Sequence, residues 1–352
     1  MKRGFRFLTN IMGTVAIFAF MWLLQSIPVN FEFLNVFDKV LGEFRLSDLY
    51  FLNIRDKNQI LMDTNVVIVN IGELGREGIA AEIDILSQHK PKVIGLDILL
   101  PDHKDPQIDS IFEATIQKAG NVVLASRLYV GKTDADGKIF FDSLGLPMED
   151  FVPHVETAYV NIITEEEGAT NDDFATVRVF SPKEKVGKNH QELAFSVKLA
   201  QKLAPEKVDT FLARNKDIET IYYKGNWDKY TILDVEDVFS ENFDPSLIKD
   251  KVVILGYLGA EYRSPTWSGD RFYTPLNPNQ VGRTFPDMYG VVIHANIISM
   301  ITDQNYINEL DSWVGISLAI LSSISFFEIF AALALSSASS FNLPVNVNPG
   351  AT

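Results

Sequence analysis

The sequence contains no cysteine, and this absence removes several classes of chemistry at once. Without thiols the chain has no disulfide framework, no thiol nucleophile and no cysteine-ligated zinc or iron–sulfur site. Histidines are also scarce: the five present stand far apart, and none forms an HExxH pattern. We therefore predict no metal site and no cofactor.

Basic residues are few relative to acidic ones, with 31 Lys and Arg against 46 Asp and Glu and a formal charge of −15. So acidic a chain repels the phosphate backbone, which argues against nucleic-acid binding. GxGxxG, P-loop and GxSxG motifs are absent as well, so no local signature of nucleotide binding or serine hydrolysis exists. Apolar residues make up 47% of the chain, enough for a sizeable core.

Two long apolar stretches lie near the ends of the chain. Residues 1–29 carry Lys2, Arg3 and Arg6 before a run that is free of charge until Glu32, and we predict an uncleaved transmembrane helix there. A cleaved signal peptide is the alternative, but no small-x-small cleavage site follows the run. Residues 312–337 form the second predicted transmembrane helix, followed by a polar tail over residues 338–352.

The basic N-terminal cluster indicates which side of the membrane the main domain occupies. Because basic residues stay in the cytoplasm, residues 30–311 are predicted to lie outside it, on the periplasmic side of a bacterial inner membrane. Glu328 is the single charge of the second predicted span. A carboxylate inside a membrane is costly, so we interpret Glu328 as a contact with a partner helix, an ion path, or a protonated or interfacial side chain.

The main domain alternates short apolar runs with amphipathic segments. Residues 66–71, 91–97 and 121–125 have the β-branched character of buried strands. Residues 79–89 and 108–118 between them have helical spacing. This alternation predicts an α/β fold with a mainly parallel sheet and flanking helices. Further segments are predicted as a hairpin turning at Asp136-Gly137, a helix over 191–203, strands over 218–223 and 251–255, and a helix over 296–302.

Asp97 is the best-placed candidate among the polar residues. It ends a predicted buried strand, where ligands of open α/β sheets gather, although it could equally cap the following turn. Gly256 to Ala260 follow another strand, and glycine there permits either close approach to a ligand or a tight turn. Residues 133–137 resemble part of a calcium loop, but Lys132 and Ser143 stand at its first and twelfth positions, which favours a plain hairpin.

Several separated segments together resemble the CHASE2 family of extracytoplasmic sensory domains. They are residues 47–51 with Arg55, 66–71, 91–98, 159–161 with Arg178, 251–256, 270–276 and 290–296. The likeness covers about residues 45–305. Gly72-Glu73-Leu74-Gly75 replaces the Asp and Ser that the family usually shows after its first strand, and the usual Trp-Pro-Trp segment is missing.

The resemblance implies a sensory input domain rather than an enzyme. It makes Arg178, Asp270 and His294, together with Asp97, the candidate ligand-binding residues. The leading hypothesis is a ligand- or partner-sensing module that acts on a membrane protein partner through its transmembrane helices, with self-association left open. One alternative is a structural accessory subunit of a cell-envelope complex. The other is an α/β enzyme using Asp97, Asp270 and His294, which requires the three side chains to lie within about 10 Å of one another.

Overall fold

The computed structural model describes residues 15, 48, 50–56, 59–133, 139–162, 176–187, 190–259, 269–277, 285–308 and 313–324. The chain divides into two compact units, one of residues 42–307 and one of residues 1–41 with 308–352. The predicted domain boundaries stay predictions. Glu328 and the tail, residues 338–352, lie outside the described residues.

A nine-stranded sheet forms the centre of the unit of residues 42–307. In chain order the described strands of this unit are β1 (Val66–Asn70), β2 (Val93–Leu96), β3 (Val122–Thr133), β4 (Ile139–Gly145), β5 (Glu156–Tyr159), β6 (Val179–Phe180), β7 (Lys183–Val186), β8 (His190–Leu193), β9 (Glu219–Thr220), β10 (Thr231–Leu233), β11 (Val252–Gly256), β12 (Arg271–Phe272) and β13 (Met288–Tyr289). Nine of them form the central sheet, while β6 pairs with β9 and β12 with β13 in two separate two-stranded sheets. The sheet order is β10-β1-β11-β2-β3-β4-β7-β8, with β5 beside β3. All pairs from β10 to β3, and β3 with β5, are parallel. The predicted α/β fold with a mainly parallel sheet is confirmed.

Helices cover both faces of this sheet. They are α1 (Arg76–Gln88), α2 (Pro106–Ala119), α3 (Phe195–Leu203), α4 (Pro205–Leu212), α5 (Val235–Phe239) and α6 (Gly290–Asp303). The ends of α2 follow from its sequence: the Asp105 carboxylate accepts hydrogen bonds from two first-turn amides, Pro106 occupies the first turn, and Gly120 ends the helix at φ 68°.

The central strands explain why two separate helical layers are needed. On β1, Val66 and Ile68 face the core that contains α3 and α6, while Val67 and Val69 face the core that contains α1 and α2. Side chains alternate across a strand, so a strand that is apolar throughout has to be covered on both faces. The result is an α/β/α sandwich around the parallel strands.

One predicted helix is wrong in its first four residues. The helix expected over residues 191–203 begins only at Phe195, because His190–Leu193 pair with β7 as strand β8. Ala194 makes a further bridge to Tyr159 before the helix starts. The predicted hairpin is present as the antiparallel pair β3–β4, and its turn residues 134–138, with most of the calcium-like segment, lie outside the described residues.

The two predicted transmembrane helices are not supported, and this part of the fold prediction is corrected. Among the described residues, no helix has both the length and the apolar character needed to cross a membrane. A span needs about 20 residues at 1.5 Å each. The helix described over residues 313–324 is shorter than that, and of the first predicted span only Val15 is described.

Glu82 is a buried carboxyl group in the helical layer of α1. Its side chain is fully inaccessible, and neither carboxyl oxygen has a hydrogen-bond partner in the described structure. Burial, with a smaller contribution from the charge of Asp234, raises its pKa to about 8. The folded protein therefore holds Glu82 protonated at neutral pH, because ionising it there is costly.

The burial of Glu82 predicts that the stability of the folded protein depends on pH. A carboxyl group whose pKa is raised by folding destabilises the native state progressively as pH rises from its unfolded value of 4.5 towards 8. Glu82→Gln should therefore gain stability relative to the wild type by roughly 2–4 kcal/mol between pH 5 and pH 8. Chemical denaturation at both pH values measures this gain. The exposed Glu149→Gln serves as the control, and equal gains in the two variants would contradict the assignment.

Candidate functional site

The carboxyl ends of three parallel strands meet at one edge of the sheet. Strands β1, β11 and β2 lie side by side in that order, so the residues that follow them are neighbours. Asp97 follows β2, and its backbone N–H donates to the carbonyl oxygen of Leu255 on β11 at 2.9 Å. This edge is where open α/β sheets bind ligands.

Three of the four predicted site residues come together at this edge, and we name them the Asp97–Asp270–His294 cluster. The Nε2 atom of His294 on α6 lies 4.0 Å from Oδ1 of Asp97. The charge of Asp97 raises the pKa of Asp270, which places the two carboxyl groups close together. The carbonyl oxygen of Asp270 also accepts a hydrogen bond from the first amide of α6, that of Gly290, at 3.2 Å.

Two glycines permit this approach of α6 to the strand ends. A Cβ atom on Gly256, the last residue of β11, would lie 2.7 Å from a methyl group of Val291 and 3.5 Å from Cβ of Asp97. A Cβ atom on Gly290 would lie 3.3 Å from the ring of Phe272 and 3.5 Å from both carboxyl oxygens of Asp270. The absence of a side chain at Gly256 lets α6 start directly beside Asp97.

Burial dominates the electrostatics of the cluster. It raises the pKa of Asp97 to about 7. Burial, followed by the charge of Asp97, raises the pKa of Asp270 to about 7 as well. Burial lowers the pKa of His294 to about 4, so the imidazole is neutral at pH 7. The two carboxyl groups titrate as a coupled pair near neutral pH beside a neutral ring.

Ser196, which the sequence analysis did not identify, contacts the cluster from the protein interior. The hydroxyl of Ser196 on α3 and Nδ1 of His294 lie 2.8 Å apart. Ser196, His294 and Asp97 thus follow one another in the order of a hydrolase triad. The Ser196 side chain is fully buried, however, so its hydroxyl is not accessible to a substrate. Its contact with His294 orients the ring, and no motif in the sequence indicated it.

A narrow cavity lies beneath His294 on the α3–α6 side of the sheet. Its polar lining comes from Tyr159, Asn161, Ser181, Ser196 and His294. The cavity measures about 10 Å³, close to the room that one water molecule needs. This cavity therefore has no room for a ligand larger than water.

Two aromatic residues border the cluster, the half-buried Tyr257 and the buried Tyr289. Tyr257 follows β11, and its hydroxyl lies 3.4 Å from a carboxylate oxygen of Glu73. The rings of Tyr257 and Tyr289 meet edge to face, 6.3 Å apart. Tyr257 lies in the loop after β11 that the sequence marked for close approach, and Glu73 lies in the segment that departs from the family pattern. In the sequence, the position of Tyr257 and Glu73 shortly after predicted strands is the feature that could have identified them as site residues.

Arg178 is not placed in the cluster. Its Nε and Nη2 atoms donate to the two carboxylate oxygens of Asp48 at 3.1 and 2.8 Å. The Asp48 side chain is fully buried and that of Arg178 is 10% exposed. A buried, two-pronged ion pair of this kind has a structural explanation, because removing either partner would leave an uncompensated charge.

Within the described ranges, no group of three or more His, Asp and Glu side chains is arranged to hold a metal ion. The acidic runs at residues 165–167 and 172–173 lie outside those ranges.

Fold and cluster together define an α/β domain with a buried acidic site at the carboxyl edge of its sheet. Comparison with known families gives a more specific result: the CHASE2 domain family matches residues 15–334. The chain therefore belongs to the CHASE2 family, whose members are extracytoplasmic sensory domains. Neither the curated proteins nor the solved structures contain a match to the chain.

Coupling between the two carboxyl groups can be tested directly. Asp97→Asn should lower the pKa of Asp270 below about 7, because the like charge that contributes to its elevation is removed while burial remains. Carbon-13 NMR titration of the aspartate carboxyl groups measures this pKa. An unchanged pKa in a folded Asp97→Asn variant would show that the two groups do not interact.

Proposed function

We propose that this chain is a non-catalytic sensory and interaction module that works on the periplasmic side of a bacterial inner membrane. It acts on a separate partner protein, and the Asp97–Asp270–His294 cluster is the centre that responds to the signal. The observation that carries this proposal is the position of the cluster at the carboxyl edge of the sheet, in contact with the start of α6.

Helix α6 supports the proposal because it connects the cluster with the opposite end of the sheet. His294 lies near its start, and Ser299, further along, donates to Oδ2 of Asp63 at 2.7 Å. The other carboxylate oxygen of Asp63 accepts a hydrogen bond from the backbone amide of Val66, the first residue of β1, at 2.9 Å. Asp303 at the end of α6 pairs with Lys224 at 2.8 Å. A displacement of α6 at the cluster therefore has side-chain contacts through which it can reach the far edge.

A signal can act in this way only if it favours one arrangement of α6 over another. The charge state of the cluster meets that condition, because neutralising Asp97 and Asp270 changes the electrostatic environment of His294. Support for a non-catalytic role comes from the family and from the complete burial of Ser196. The 4.0 Å distance from Asp97 to His294 meets, for that pair, the spacing that the enzyme alternative required of all three side chains, so the spacing of this pair does not argue against catalysis.

The test compares partner recovery in the native host. The full chain is affinity-tagged, cross-linked in cells and purified, and co-purifying proteins are quantified by mass spectrometry. Wild type is compared with Asp97→Asn and Asp270→Asn, with Asp209→Asn on the exposed face of α4 as the control. We expect one stoichiometric partner whose recovery changes about fivefold or more in both cluster variants and stays constant in the control.

Two other outcomes contradict the proposal. If no protein co-purifies in stoichiometric amount, action on a partner is wrong. If a partner is recovered equally from all four proteins, the cluster does not control the interaction, and the structural accessory subunit becomes the better description.

A further inference from the structure

We propose that the Asp97–Asp270–His294 cluster binds a small organic cation through a protonated primary amine. This inference rests on the proposed function, since it names the ligand of the same cluster. It follows from the number of hydrogen-bond acceptors at the cluster, from the spacing of Asp97 and His294 and from the charge around them.

The cluster presents three acceptor groups. In a neutral imidazole, one ring nitrogen donates a hydrogen bond and the other accepts one. The Ser196 hydroxyl is the hydrogen-bond partner of Nδ1 of His294. When Nδ1–H donates to that hydroxyl, Nε2 carries a free lone pair. The His294 side chain is only 6% exposed, and Nε2 has no hydrogen-bond partner among the described residues; Asp97, its neighbour, is 4.0 Å away. With the carboxylates of Asp97 and Asp270, Nε2 gives three acceptors, and a primary ammonium group has three N–H donors.

The spacing of the Asp97 and His294 acceptor atoms fits an ammonium nitrogen better than a transition-metal ion. Two atoms 4.0 Å apart subtend about 90° at an ammonium nitrogen roughly 2.8 Å from each of them. That angle is near the directions of the N–H bonds. A zinc-like ion at about 2.1 Å from both atoms would require an angle of about 145°, far from tetrahedral.

The surrounding charge also favours a cation. Burial raises the pKa of Asp97, and burial together with the charge of Asp97 raises that of Asp270. The nearby guanidinium of Arg271 lies over the ring of Tyr289 and donates to its hydroxyl. Asp270 also raises the pKa of the Tyr257 hydroxyl, although burial and Glu73 contribute more. The chain as a whole carries a charge of −15, which concentrates cations near its surface.

The aromatic border supplies a surface for the carbon atoms next to the amine. Ring faces attract ammonium groups and their polarised methylenes. Arg271 already lies over the ring of Tyr289, with its guanidinium carbon 4.4 Å from the ring centre. We therefore assign Tyr257 as the aromatic contact of the ligand.

Protons compete with such a ligand. Asp97 faces His294 and Asp270, and Asp270 faces Asp97 and Tyr257. The carboxyl pair takes up protons as pH falls through about 7, while His294, with a pKa of about 4, stays neutral. An amine binds the ionised pair, so its affinity should fall by about tenfold or more between pH 8 and pH 6.

The experiment uses the full chain and n-butylammonium as the probe, followed by amide NMR at pH 8 and pH 6. Tetramethylammonium, which has the charge but no N–H donor, and n-butanol, which has neither charge nor ammonium, are the matched control ligands. We expect saturable n-butylammonium binding at pH 8 with shifts at residues 97, 270 and 294, weaker binding at pH 6, and no binding of either control. Because these arms use the unaltered protein, they do not depend on how any variant folds.

Variants then locate the site. Asp97→Asn and Asp270→Asn should each weaken n-butylammonium binding about tenfold or more, since each removes a charged hydrogen bond, whereas Asp209→Asn should leave it unchanged. Tetramethylammonium binding as tightly as n-butylammonium would overturn the inference. So would Zn²⁺ or Mg²⁺ binding at the cluster while n-butylammonium does not.

The two proposals can fail separately. If n-butylammonium does not bind but the cluster variants still alter partner recovery, the amine assignment is wrong and the proposed function stands. If n-butylammonium binds as described but partner recovery is the same in every variant, the amine site stands and the proposed function is wrong.

Discussion

The close contact between the start of α6 and the carboxyl edge of the sheet is the constraint on which the rest of the structure depends. Every residue of α6 from Gly290 to Thr302 is buried, so the helix packs against the rest of the domain along its whole length. Gly256 allows the approach, and the helix then fixes its polar residues in sequence. His294 lies beside Asp97. The side-chain oxygen of Asn296 accepts hydrogen bonds from the backbone amides of Lys224 and Gly225. The hydroxyl of Ser299 donates a hydrogen bond to Asp63. The buried helix α6 thus contacts polar residues at both ends of the parallel strands.

Burial raises the pKa of both Glu82 and Asp97, but the two carboxyl groups differ in their partners and in their access to solvent. Glu82 is fully buried, neither of its carboxyl oxygens has a hydrogen-bond partner in the described structure, and its protonated form is compatible with a purely structural position. Asp97 is 13% exposed and faces a second carboxyl group and a neutral imidazole. Access from the edge of the sheet distinguishes the cluster, because a group that a ligand can reach can be neutralised by that ligand. Perturbed carboxyl groups in such positions are typical of functional sites.

Sequence patterns predicted the parts of the fold that depend on local periodicity. Strands β1, β2 and β11 are continuous apolar runs, and α2 has both of its caps in the sequence, so their bounds were close to correct. Strand β8 was read as helix, because its pairing with β7 is a tertiary contact that local spacing does not encode. Asp97 was found from its place at a strand end, whereas Asp270 and His294 came from the family resemblance and from their positions at apparent strand ends and loops. Arg178 came from the same resemblance but lies in an ion pair, and Ser196 had no signal because its role depends on where α3 meets α6.

The central claim is that α6 transmits the state of the cluster along its whole length. Amide hydrogen exchange of residues 290–303, compared between wild type and Asp97→Asn at one pH, tests it most directly. The account predicts altered exchange rates along the entire helix, including residues 299–303, where Ser299 and Asp303 hold Asp63 and Lys224. A change limited to residues 290–295, or no change at all, would contradict it.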